Sequence, residues 1–188
     1  MSERIIKIFT ITGILSFMFR LLSLLCNYYY ASYTIAIIAD VIGQLLFLSL
    51  FFFIAKDLKQ NYGKRVRLIY LFVCSSLVIT FSNITDMLSR NMTLFIQLLV
   101  LAVVAAFIVY LFKTVYRLFA VAYIITLLMI FAFQFIVRAL VPNISYSYLL
   151  VLNALPILYP LVLIYIVRIK KNYIPEEEIN SIGRDVEI

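Results

Sequence analysis

Thr12–Asn27 reads TGILSFMFRLLSLLCN, an apolar run that carries Arg20 in its interior and that, with the residues before it, is long enough to cross a bilayer. A charged side chain inside hydrocarbon is costly, so an arginine at this depth needs an acceptor or a route to the headgroups. Thr12, Ser16, Arg20, Ser23 and Asn27 recur at steps of three and four, which places them on one helical face. Measured from Lys7 at about 1.5 Å per residue, Arg20 lies about 20 Å along the helix. A polar stripe of this kind favours an arginine turned into the protein over one that snorkels along lipid.

The rest of the composition agrees with a membrane reading. Of 188 residues, 65% are hydrophobic and 13% are charged, and the mean hydropathy is +1.09, values outside the range of ordinary soluble domains. Apolar stretches near the length of a spanning helix recur at about 8–29, 34–55, 68–88, 94–112, 118–140 and 147–167. The expected fold is all-α: a polytopic bundle of six transmembrane helices over residues 1–171, followed by a flexible cytoplasmic tail over 172–188. No extramembrane catalytic or signalling domain fits in what remains, so any chemistry is expected within the bundle. Arg4 and Lys7 precede an apolar run as in a secretory signal, but no A-x-A cleavage site follows, and an uncleaved first helix is the better reading.

The net charge of +7 is read as topology rather than as a nucleic-acid surface. Thirteen of the sixteen basic residues fall on one side of a six-span layout: Arg4 and Lys7, the cluster from Lys56 to Arg67, Lys113 and Arg117, and four residues after the sixth span. Only Arg90 and Arg138 fall on the other side. Both termini are therefore expected in the cytoplasm, and the protein in the cell membrane with the lipid bilayer as its main partner. The segment KDLKQNYGKRVR (56–67) reads as a basic cytoplasmic loop drawn to anionic headgroups.

Polar residues within the spans concentrate toward the opposite side. In the second span Ala36, Asp40 and Gln44 share a face, and Ala39 with Gly43 makes a small-xxx-small pair suited to close helix contact. Asp40 lies about 9 Å deep, near the level of Arg20 on an antiparallel neighbour, and a direct Arg20–Asp40 pair is expected. The third span adds Asn83, with Asp86 and Arg90 spaced as a local ion pair. The fourth adds Gln97 and the small residues Ala102 and Ala106; the fifth aligns Thr126, Gln134 and Arg138; the sixth carries Asn153 with Pro156 and Pro160, which remove two backbone donors.

The candidate ligand-binding set is thus Arg20, Asp40, Gln44, Asn83, Gln97, Gln134, Arg138 and Asn153, a cup open to the outside above an apolar inner half. Polar groups at successive depths, as a channel would require, are not evident. The chain has no histidine, its two cysteines are poorly placed as a pair, and no H-E-x-x-H, G-x-S-x-G or Walker motif occurs. No metal or other cofactor is expected. The expected function is non-enzymatic: capture, transport or sensing of a small polar or anionic molecule, together with a membrane or cytoplasmic partner subunit. The alternatives are a structural or assembly subunit whose polar layer only holds helices together, and an intramembrane enzyme using Asp40.

Overall fold

A computed structural model of the chain describes residues 2–29, 33–85, 90–140 and 154–172, with side chains other than those of 81–85, 90–95, 97, 133–140 and 170–172. These residues form helices α1 (Glu3–Tyr28), α2 (Tyr33–Tyr62), α3 (Arg67–Thr85), α4 (Arg90–Phe112) and α5 (Arg117–Leu140), a 3-10 turn at Leu155–Leu158, and α6 (Tyr159–Asn172). No strand occurs among the described residues. Helices α1 and α2 are long and apolar enough to cross a membrane. Shorter apolar stretches follow at Arg67–Thr80, Leu98–Phe112, Arg117–Ala132 and Leu155–Ile169. Residues 147–153 of the expected sixth span, the proposed tail from 173 onward, and Asp86 lie outside the described residues.

The helices run long because no proline interrupts α1 to α5. α2 stops at the next glycine. Gly63 takes the left-handed conformation, with φ of 58°, and the Lys64 N–H returns to the Leu58 carbonyl at 3.1 Å, closing the helix end with a residue that has no Cβ to clash. This corrects the reading of 56–67 as a loop: its first seven residues are the last two turns of α2. The reversal from α4 to α5 takes only residues 113–116. The Thr114 hydroxyl donates to the Leu111 carbonyl at 2.8 Å and accepts the Tyr116 N–H at 3.2 Å.

α1 and α2 come into close contact at Gly43. A Cβ at that position would lie 2.5 Å from Arg20 Cγ, 3.1 Å from the Arg20 backbone nitrogen and 3.2 Å from the Ser16 carbonyl oxygen. With the glycine in place, the Ser16 hydroxyl donates to the Gly43 carbonyl at 2.8 Å. Ala36 and Ala39 are buried above it, so the small-residue spacing does what it does in packed helix pairs generally. Gly13 performs the same service toward α6, where its missing Cβ leaves room for the Ile164 side chain. Ala102 and Ala106, by contrast, are exposed. α4 packs with its larger residues Val100, Phe107, Ile108 and Leu111, because filling contact with the aromatic core gains more dispersion attraction than close backbone approach.

That core centres on Phe51 of α2, which is fully buried. Its ring meets Phe72 of α3 at 5.1 Å, Phe107 of α4 at 5.6 Å and Phe119 of α5 at 6.0 Å, each edge to face. Phe72 and Phe107 stack at 4.2 Å. Meanwhile one side of α1 leaves Ile8, Ile11, Leu15, Met18, Leu22 and Leu25 exposed.

Replacing Gly43 by alanine is expected to lower stability by about 1–3 kcal/mol, since the methyl group meets backbone as well as side chain. Gly63→Ala meets nothing within 4 Å and is expected to cost about 1 kcal/mol through φ alone. Unfolding of the two variants in mixed detergent, followed by circular dichroism, checks both the order and the size.

Candidate functional site

Arg20 is turned into the protein between α1, α2 and the start of α6. Pro156 and Pro160 determine what it finds there. In an uninterrupted α-helix the Pro156 carbonyl would accept the N–H of residue 160, but residue 160 is a proline and has none. The chain tightens into the 3-10 turn instead, the Tyr159 N–H donates to the Pro156 carbonyl, and the second lone pair of that oxygen accepts Arg20 Nη1 at 3.3 Å. The carbonyl that the prolines leave short of a helical donor is thus the one the arginine uses.

Around the guanidinium the walls are aromatic. Its carbon lies 5.7 Å from the centroid of Phe47, within the range of a cation–π contact. Phe47 stacks on Tyr159 at 6.3 Å, and Tyr159 on Tyr123 at 4.9 Å. Thr126, one turn beyond Tyr123, donates its hydroxyl proton to the Ala122 carbonyl at 2.9 Å. One guanidinium nitrogen remains unserved: Nε is buried and has no hydrogen-bond partner.

The expected direct pair with Asp40 is not made: Asp40 is exposed on α2 and forms no ion pair with Arg20. The reason is helical phase. Gly43 and Ala39 face α1 and are buried, and Asp40, one residue after Ala39, is carried about 100° around the axis and away from the contact. Gln44 is half-buried next to Gly43. Asn83 lies on α3, Gln97 on α4, and Gln134 and Arg138 on α5, with their side chains outside the described set; Asn153 lies outside the described residues altogether. The described geometry therefore brings Arg20 together with Phe47 and the Pro156 carbonyl, with Tyr159 and Tyr123 stacked beyond Phe47; of these, the polar-residue reading singles out Arg20 and Pro156.

A second polar centre lies at the other end of α2, where the sequence suggested only a solvated loop. Asp57 is 2% exposed. Its carboxylate accepts the Tyr116 hydroxyl at 2.9 Å and the Asn61 side-chain amide at 2.7 Å. Tyr116 is itself fully buried, so burial first and the adjacent carboxylate second push its hydroxyl well above the usual tyrosine range. The signal in the sequence is faint: Asp57 follows Ile54 at a step of three, on the buried face of α2, which continues to Tyr62 beyond the expected end of the second span at 55.

Comparison of the chain with protein-family models, with curated proteins and with solved structures finds no match.

Tyr116→Phe is expected to destabilise the fold by about 1.5–3 kcal/mol, because it removes a hydrogen bond to a buried charged group. The raised hydroxyl also fixes a pH dependence. Its contribution is fully present below the unfolded tyrosine value near 10 and falls as pH rises beyond it. Denaturant titrations between pH 9 and 11 are expected to show a steeper loss of stability for the wild type than for Tyr116→Phe.

Proposed function

We propose that this chain is a six-span integral membrane protein, with both termini in the cytoplasm, that holds a small molecule in a polar pocket toward its outer side and works with a partner subunit in capture, transport or sensing. The observation that carries the reading is the position of Arg20: a guanidinium faces the interior of a bundle whose own outer surface is apolar. The exposed row from Ile8 to Leu25 on α1 would be a liability in water and is the expected lipid face in a bilayer. The asymmetry of lysine and arginine supports the orientation. On that orientation Arg20 lies toward the outside, and the Asp57–Tyr116 pair and the Phe51 core lie toward the cytoplasm, where they would plug the pocket from below.

One observation favours a second reading, a structural or assembly subunit. The Arg20 bond to the Pro156 carbonyl ties α1 to the start of α6, which is what a residue kept only for packing would do.

Cysteine accessibility separates the two. In a background lacking Cys26 and Cys74, Arg20→Cys is expected to react with a small membrane-impermeant thiol reagent added from outside, in a protein that still folds. Lys59→Cys is expected to react only from the cytoplasmic side. Failure of Arg20→Cys to label while the fold is intact would leave the structural reading, and labelling of Lys59→Cys from outside would overturn the orientation.

A further inference from the structure

We propose that Arg20 is the seat of one anionic oxygen-bearing head, a carboxylate or a phosphate. The inference deepens the pocket reading above and rests on it. A guanidinium offers five N–H donors in a planar fork, and among the described residues Arg20 makes a single side-chain hydrogen bond, Nη1 to the Pro156 carbonyl. That contact uses one end of the fork. The Nε–Nη2 edge is the edge that receives a two-oxygen acceptor side-on, and on it Nε is buried with no partner.

Charge narrows the class. No carboxylate among the described residues forms an ion pair with Arg20, and Asp40 stands away from it, exposed. The Phe47 ring offsets the charge only in part. Arg20 as a residue is half-buried; a neutral acceptor would satisfy the buried Nε but leave the charge uncompensated, whereas an anion satisfies both. Such a head can come from an anionic lipid or from a free carboxylate or phosphate compound.

The test uses the full chain in neutral detergent at constant ionic strength, with phosphatidylglycerol, phosphatidylcholine, inorganic phosphate and acetate as probes. Two readouts are taken: the thermal unfolding midpoint, and the nitrogen-15 and proton resonances of Arg20 Nε–H. An anionic probe is expected to raise the midpoint and move the Nε–H proton downfield. Its apparent affinity for Arg20→Lys, which keeps the charge but lacks the fork, is expected to be at least about tenfold weaker, and that for Lys59→Gln unchanged. A response to phosphatidylglycerol alone identifies a lipid headgroup; a response to phosphate or acetate identifies a free anion. Equal action of phosphatidylcholine, full retention by Arg20→Lys, or no movement of Nε–H with any anion overturns the proposal. The wild-type resonance decides the matter even where Arg20→Lys does not fold. Labelling of Arg20→Cys from outside without any anion response would leave a pocket but not this ligand class, and an anion response without labelling would leave the anion but not an open pocket.

Discussion

The arrangement depends on how closely α1 approaches α2. Gly43 lets the backbone of Arg20 come within a distance that a methyl group would forbid, and the Ser16 hydroxyl fixes the register by bonding to the Gly43 carbonyl. Once that register is set, the phase of α1 is no longer free. Ser16, Arg20 and Ser23 point inward and Ile11, Leu15, Met18 and Leu22 point outward. Close van der Waals contact and a hydrogen bond of this kind hold the two helices together.

Two polar centres follow from this geometry, and they are handled differently. At one end of α2 the carboxylate of Asp57 is met by a hydroxyl and an amide from its surroundings, a buried acid provided with donors. At the other end Arg20 is met by one carbonyl and an aromatic face, and part of its donor capacity stays unmet. Between them lies the Phe51 cluster, with ring contacts reaching from α2 to α3, α4 and α5. A satisfied buried group rigidifies a structure, whereas one left short of partners is energetically costly.

Much of this was legible in the residues, and the parts that were not have identifiable causes. Helical content, the inward phase of the α1 stripe and the role of Gly43 all follow from periodicity and residue size, which are local properties. The Arg20–Asp40 pair failed because depth was matched without phase: two residues at one level on neighbouring helices meet only if both point at the contact. Asp57 was misplaced because a run of charged residues reads as a loop, although lysines at 56 and 59 can sit on the exposed side of a helix whose opposite side is buried. Ala102 and Ala106 show the converse error, small residues at contact spacing on a face that nothing described here covers. The aromatic wall beside Arg20 brings Phe47, Tyr123 and Tyr159 together from three helices, and no spacing within one segment encodes that meeting.

The bond between Arg20 and Pro156 also has a history in time. Its partners are separated by 136 residues, whereas Ser16 and Gly43, which fix the α1–α2 register, are separated by only 27. During synthesis the first hairpin can therefore close long before the carbonyl that serves its arginine has been made, since chains emerge from the N-terminus onward. Until the Leu155–Leu158 turn has been made, the acceptor that Arg20 uses in the folded chain does not exist. The late arrival of the proline turn thus makes it the step that completes the surroundings of Arg20, so that α1 is finished by the last of the described helices.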